Sequence, residues 1–461
     1  MGINKTLLII LATGLVVRLF LFFYFLDTPR FFWDDDSSSY INNAENTLLG
    51  NGFSRVDEPP YEPDAFRTPG YPIFLLLHKV IFGSYHSALI TQSMLVVAIA
   101  WIIFLLAKDY GSAKIGYWAA AIFLAMPFSI QVSLKFLTQS FFAFVLVLSA
   151  WFWLKFLKNN EGKYLLITAL LLPLLALIRP IAQFIYLPFL LSFIYASWMG
   201  PVRSLARANG ASPKDLGEAT SNGIKIKELL KVGLTLGVIF FVGILPWLYR
   251  NYATFDHFSL SSIIPSQMYF FDAPAVYAYN HGISNGEAAS ILAKRAEEDF
   301  GANMGEFSAL FSSGTYLKEK ALDIMFESPS SLLIVRGIQF FKFFIRDGIH
   351  YWFDTPLPLP QVSVDFIKSI TPMLALVMLE RLFLFILFLG MIVTAISSFW
   401  ERDKYKKSMI GFLILIIFYF AALSGIMSSA GLRYPIEAIF ILTGFIGLGI
   451  VRGKLFSLKH V

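Results

Sequence analysis

The chain has no cysteine among its 461 residues, which removes disulfides, thiolate metal sites and thiol nucleophiles together and leaves the redox compartment unread. Charge is scarce too: Asp, Glu, Lys and Arg make up 15% of the residues, against roughly 25% in soluble domains. The six histidines show no ligand spacing and read as packing or surface residues. No repeat at a period of roughly 20–50 residues is visible. The two halves do not mirror one another, which disfavours the duplicated architectures common among transporters.

What the chain has instead is apolar surface: 57% hydrophobic residues, 48 of them Phe, and a mean hydropathy of +0.65. Several runs are long enough to cross a hydrocarbon core of about 30 Å, which takes roughly 20 helical residues. They predict an all-α integral membrane protein, a polytopic bundle of about ten transmembrane helices, with crossings near 5–26, 86–107, 115–134, 139–157, 164–178, 181–198, 232–249, 381–399, 408–427 and 435–451. No small-residue cleavage site follows the first run, so it is expected to stay as a helix.

The net charge of +6 is a topology signal, because the basic residues gather in short connectors. Lys5, Lys108, Lys114, Lys155, Lys158, Lys163, the Arg203–Lys231 and Arg402–Lys407 stretches, and Arg452, Lys454 and Lys459 all fall on one side. By the positive-inside rule that side is cytoplasmic, with both termini, and the loop 27–72 lies outside. The organisation expected is a catalytic transmembrane module over 1–250, an exoplasmic or interfacial insert over 251–371, and C-terminal transmembrane helices over 372–461. The basic stretch 199–231, with Gly and Ser, reads as a solvated linker.

The outer loop holds the most specific chemistry. Asp34, Asp35 and Asp36 stand together, followed by Tyr40, and the loop closes with Arg67 and Pro69-Gly70-Tyr71-Pro72. Tyr40, Ile41, Ala44 and Leu48 recur at helical spacing, Gly50 and Gly52 offer a stop, and a start at Asp36 or at Ser37–Ser39 supplies N-cap residue types. Residues 71–82 are apolar but too short to span, and are expected to dip into the interface. Arg336, Gln339, Lys342 and Arg346 share one face of another amphipathic helix, expected in the headgroup plane.

Arg179 before Pro180, Arg250 in Pro246-Trp247-Leu248-Tyr249-Arg250-Asn251, and Arg433 in Arg433-Tyr434-Pro435 also stand where a helix reaches the outer boundary. With Arg67 they make four arginines able to converge on an anionic group, since the guanidinium fork matches phosphate oxygens. Arginines at helix ends also snorkel to lipid phosphates without doing chemistry. The aspartates read either as a carboxylate set for acid/base work or as an acidic loop that stays outside. Glu437, four residues after Arg433, reads as its ion-pair partner. Glu380 and Arg381 read as another helix mouth, and Arg18 inside the first run reads as snorkelling inward.

The ordered set Asp36-Ser37-Ser38-Ser39-Tyr40, Ala44, Gly50, Gly52-Phe53 and Arg67-Thr68-Pro69-Gly70-Tyr71-Pro72 resembles the first outer loop of GT-C fold glycosyltransferases. The nearest groups are the lipid A aminoarabinose transferases and the protein O-mannosyltransferases. Leu177-Ile178-Arg179-Pro180, Pro246-Trp247 with Arg250-Asn251, and Arg433-Tyr434-Pro435 with Glu437 resemble later signatures in the same order. The resemblance implies an inverting transfer of a monosaccharide from a polyprenyl-phosphate sugar to a lipid, glycan or protein acceptor on the outer face of the plasma membrane. It selects Asp36 as the base, with Asp35 in reserve. Arg67, Arg433, Arg179, Arg250, Tyr40, Tyr71 and Tyr434 become the residues around the donor.

Two departures stand out: Thr138-Gln139 replaces the Thr-Glu of many relatives, and Arg67-Thr68-Pro69 replaces a Glu-Lys-Pro. No cofactor is required by this reading and no metal set is assigned, Asp34 and Asp35 being the only spare ligands for a divalent ion. The competing readings are a lipid or sugar transporter or flippase, a ligase using a lipid-diphosphate glycan, and an assembly scaffold. Nothing in the composition points to nucleic acid.

Overall fold

The computed structural model describes residues 4–199, 226–300, 313–349, 372–424 and 430–458. Most of the linker 199–231 and the last part of the insert lie outside these residues. Among the described residues every regular element is helical. The first half runs α1 Lys5–Tyr24, α2 Ser37–Leu49, α3 Gly70–Phe82, α4 His86–Tyr110, α5 Ala113–Ala125, α6 Pro127–Ser133, α7 Gln139–Asn159, α8 Gly162–Ile178 and α9 Tyr186–Trp198. The second half runs α10 Ile226–Phe255, α11 Ile263–Gln267, α12 Ala273–His281, α13 Asn285–Phe300, α14 Gly314–Glu327, α15 Pro329–Ile345, α16 Pro372–Ser397, α17 Lys404–Leu423 and α18 Ala430–Leu458.

Among the described residues eight helices are long and apolar enough to cross a membrane, or nine if α5 and α6 form one broken span. The protein is a multi-pass membrane protein. The expected straight crossing over 115–134 is instead bent by 60° between α5 and α6. Pro127 explains the break: the residue before a proline is driven from the helical region, and Met126 sits at φ −57°, ψ 128°. The expected crossing over 164–178 is α8, whose 17 residues make about 25 Å of helix, somewhat less than a hydrocarbon core.

Side-chain contacts define the two ends of the bundle. At one end Lys158 pairs with Asp109 at 2.9 Å, and Lys406 lies over the Tyr110 ring. The α4–α5 turn, the α7–α8 turn and the start of α17 therefore meet there. At the other end the loop before α2, the approach to α3, the α6–α7 turn and the segment after α8 come together. α8 thus connects one end to the other despite its length.

The core is apolar and continuous from α1 to α18, with Trp153, Phe123, Phe142, Phe189 and Phe240 fully buried. Outward faces stay apolar as well: Leu234, Val238, Phe241 and Val242 of α10 are all more than half exposed. That distribution is expected where lipid is the solvent. With no water between helices to expel, association depends on close packing, and α16 meets α18 through glycine. A Cβ at Gly447 would collide with the Gly390 carbonyl oxygen, and Thr394 Oγ1 donates to the Thr443 carbonyl at 2.6 Å alongside.

The segment between α10 and α16 builds a smaller apolar cluster of its own from Tyr269, Val276, Leu292, Leu317, Ala321, Met325 and Val335. α15 leaves Leu333, Ile334 and Ile338 exposed while burying Phe343 and Phe344 at its end. Phe344 packs on Phe388 of α16 and Phe440 of α18, so the tip of α15 is driven into the bundle. Arg336 on its polar face pairs with Asp272 at 3.1 Å.

Gly447→Ala should lower the apparent Tm of the detergent-solubilised protein by several degrees, overpacking of a tight contact costing about 1–3 kcal/mol. Gly237→Ala, whose Cβ would meet nothing within 4 Å, should leave Tm unchanged or slightly raised. Equal melting of the two variants would refute the glycine contact.

Candidate active site

The carboxylate loop is shaped by short polar contacts. Ser37 Oγ accepts from the Asp34 amide at 2.9 Å, Ser39 Oγ donates to the Asp36 carbonyl at 2.8 Å, and α2 begins at Ser37. The helix ends at Gly50 with φ 83°, the left-handed stop that glycine adopts without strain. Its buried face is more polar than the Tyr40–Ala44 spacing alone suggests. Asn43 Nδ2 donates to Asp64 Oδ2 at 2.8 Å, and Asn46 Nδ2 donates to the Ser54 and Val56 carbonyls at 2.9 and 2.7 Å. The two asparagines stitch the following loop back onto α2.

That loop delivers Arg67 to Asp36. Arg67 Nη2 lies 2.5 Å from Asp36 Oδ1, Nε donates to Ser39 Oγ at 3.0 Å, and Nη1 donates to the Tyr40 hydroxyl at 3.1 Å. The guanidinium also stands 4.6 Å from the Tyr40 ring centre. Three of the five N–H groups of an arginine are so engaged. Arg67 is nearly buried at 11% exposure, while Asp36 remains open at 53%. Tyr40 rests edge-on against Tyr71 at 5.1 Å, and Thr138 lies within hydrogen-bonding reach of the Tyr40 hydroxyl.

Gly70 explains how a second arginine joins them. A Cβ there would lie 2.7 Å from the Leu177 carbonyl oxygen and 2.9 Å from the Ile178 nitrogen, so only glycine permits α3 to start against the end of α8. Thr68 Oγ1 donates to the Ile178 carbonyl at 3.2 Å in the same contact. Arg179 follows directly, in extended conformation before Pro180. Its Nη1 is buried without a hydrogen-bond partner.

Electrostatics agree with that neighbourhood. Burial lowers the Arg179 pKa, Tyr40 and Asp36 counter it, and the like charge of Arg67 adds to the fall. For Arg67, burial works against the charge, but Tyr40 and Asp36 outweigh it and the pKa rises. Burial raises Asp34, with the Lys135 charge opposing, and burial raises the Tyr40 phenol. The centre therefore holds Arg67 in direct contact with Asp36, with the Arg179 guanidinium close enough to feel both charges. Asp35 is exposed, its amide donating to Asp34 Oδ1 at 3.0 Å.

The other two arginines expected here have different partners. Arg250 Nη1 donates to the Asp64 carbonyl and to Asn251 Oδ1, each at 2.8 Å, so it holds the loop between α2 and α3 onto α10. Arg433 is fully buried and its Nη1 donates to the Phe343, Phe344 and Arg346 carbonyls at 3.2, 3.4 and 2.6 Å. Those are orphan carbonyls at the end of α15, where a cation is doubly favourable. Glu437 stands 3.7 Å from Arg433.

Glu380 accepts from the Gly348 and Ile349 amides, and Arg381 binds Asp347 at 2.7 Å, so the chain leaving α15 is clamped by α16 and α18. Tyr434 is buried between Phe123 and Phe128. Arg18, expected to snorkel, is fully buried and donates to the Gly14 carbonyl and to Ser129 Oγ at 2.9 and 3.0 Å.

Among the described residues no group of three or more His, Cys, Asp or Glu side chains is arranged to hold a metal ion. Reading the sequence missed Asn43, Gln92 and Lys135. Each is a polar residue with no motif around it, and only its tertiary partners give it a role.

The all-helical, polytopic membrane bundle has the GT-C-like fold, as its similarity to solved structures shows. Residues 66–209 match the family model described as dolichyl-phosphate-mannose-protein mannosyltransferase. Among solved structures, the apo oligosaccharyltransferase of Archaeoglobus fulgidus is similar at a TM-score of 0.53 and 15% identity, covering 98% of this chain and 51% of that one. The archaeal oligosaccharyltransferase AglB from the same organism, in complex with an inhibitory peptide and a dolichol-phosphate, gives 0.52 and 14%, covering 99% and 51%. The chain thus spans about half the length of those structures. No curated protein matches it significantly.

Arg433→Met should destabilise the protein by about 3–5 kcal/mol, because it leaves Glu437 a buried unpaired charge and strips the α15 carbonyls. Thermal unfolding in detergent measures it, and a variant as stable as the parent would overturn the clamp.

Proposed function

We propose that the protein is a membrane glycosyltransferase that moves a monosaccharide from a polyprenyl-phosphate donor to an acceptor hydroxyl on the outer face of the plasma membrane, with inversion. The observation that carries this reading is Arg179 Nη1, buried and without a hydrogen-bond partner, in the field of the Arg67–Asp36 pair. A phosphate diester placed there would supply the missing anion and the missing acceptor. The family model over residues 66–209 and the dolichol-phosphate bound by the archaeal relative support a lipid-phosphate donor.

In the proposed step the acceptor oxygen attacks the anomeric carbon from the face opposite the phosphate. Asp36 takes the acceptor proton as the new C–O bond forms, and the old C–O electron pair leaves with the lipid phosphate. Arg179 and the remaining N–H groups of Arg67 meet the charge that develops on the leaving oxygen, where prepositioned donors contribute most. Arg67 also fixes the Asp36 rotamer through Oδ1, so the half-exposed carboxylate keeps its other oxygen for the proton. Tyr40 and Tyr71 form the wall behind Arg67. Arg250 and Arg433 act at a distance by holding the outer loop and the clamped end of α15.

In this reading both termini are cytoplasmic, the basic end of the bundle faces the cytosol, and the acceptor is a lipid, a glycan or a protein. The buried charges inside the spans do not favour a transport path, since Arg18 and Arg433 are both tied to backbone carbonyls.

Asp36→Asn should reduce transfer from a radiolabelled polyprenyl-phosphate sugar by about 10²–10⁴-fold, the usual worth of a general base, with folding and insertion unchanged. Arg179→Met should raise the donor KM and lower kcat. Release of labelled lipid phosphate by Asp36→Asn at the parental rate would sink the base assignment.

A further inference from the structure

Lys135 stands on the turn between α6 and α7, far in sequence from the acidic loop but against it in the fold. Its Nζ donates to the Trp33 carbonyl at 2.8 Å, lies 5.6 Å from the Phe31 ring centre, and its charge acts on Asp34. The backbone around it is paired to the same loop: the Phe136 amide donates to the Phe32 carbonyl at 3.0 Å, and Ser37 Oγ donates to the Phe136 carbonyl at 3.2 Å.

The turn is held from beneath as well. Gln92 Nε2 donates to the Ser133 and Lys135 carbonyls at 3.3 and 2.9 Å, while Gln92 Oε1 accepts from the Tyr71 hydroxyl at 2.7 Å. Lys135 is therefore mounted on a rigid turn and bound to Trp33, the residue that precedes the three adjacent carboxylates.

Three neighbouring carboxylates repel one another, and the loop that carries them has no regular hydrogen-bond ladder to resist that repulsion. Arg67 neutralises Asp36 directly. We infer that Lys135 is a positioning residue for the carboxylate loop, its ammonium clamping the Trp33 carbonyl and balancing Asp34 so that Asp36 stays aimed at the reacting sugar. The inference rests on the glycosyltransferase reading for its effect on rate, but its effect on the loop stands apart from it.

The test uses the full chain in lipid nanodiscs with a polyprenyl-phosphate sugar. Lys135→Met should lower kcat by about 10- to 100-fold, the scale of an ångström-level misplacement, with donor KM changed less than about threefold. Lys135→Arg should restore kcat to within about fivefold of the parent. Asp34→Asn added to Lys135→Met should recover about tenfold of the loss, because removing the unbalanced carboxylate removes the need for the cation.

Hydrogen exchange of residues 33–37 should accelerate about tenfold in Lys135→Met and not in Lys135→Arg. Unchanged exchange and kcat would overturn the proposal. So would a raised donor KM at constant kcat, which would make Lys135 a donor contact. A parent that transfers sugar from no lipid phosphate would defeat the glycosyltransferase reading, and the exchange measurement would still decide the role of Lys135.

Discussion

The site depends on one backbone contact. Because residue 70 lacks a Cβ, the start of α3 can lie against the Leu177–Ile178 peptide, and two arginines more than a hundred residues apart come within electrostatic range of each other and of Asp36. Arg67 comes from the loop before α3, which starts directly after Pro69, and Arg179 from the end of α8, which Pro180 terminates. Proline ends α8, glycine allows the approach, and the placement of the charges follows from the two together.

A second constraint runs through the molecule, that irregular backbone near lipid needs partners within the protein. The chain answers with long side chains that reach backbone. Arg433 takes the last carbonyls of α15, Glu380 takes the next two amides, Arg250 takes the outer loop, and Gln92 takes the α6–α7 turn. These residues sit in charged or amide-bearing positions that look functional in one dimension. Their work is to make loops as rigid as helices, which is what the proposed role of Asp36, a carboxylate on a loop, requires.

Much of the fold was legible because lipid writes a simple code. Apolar runs of helix length mark spans, and the Tyr40–Ala44 spacing with Gly50 marks α2. The break at Met126 was carried by Pro127 yet read as an uninterrupted crossing, since the apolar run continues through it. The Asp36, Arg67 and Tyr40 group was legible through its order along the chain. Arg433 and Arg250 were not separable from Arg67 and Arg179: an arginine beside Pro and Tyr at a helix end has the same appearance whether it faces an anion or a carbonyl.

By itself the sequence determined that the protein is a helical membrane bundle and where along it the acids and the four arginines cluster. Hydropathy and charge are summed along the chain, so they survive without coordinates. Only the tertiary structure decided that Arg67 pairs with Asp36, that Arg18 is locked to Ser129, and that Lys135 meets Trp33. Those outcomes turn on distances of a few ångströms between segments whose approach is set by packing, and packing is a property of the whole fold.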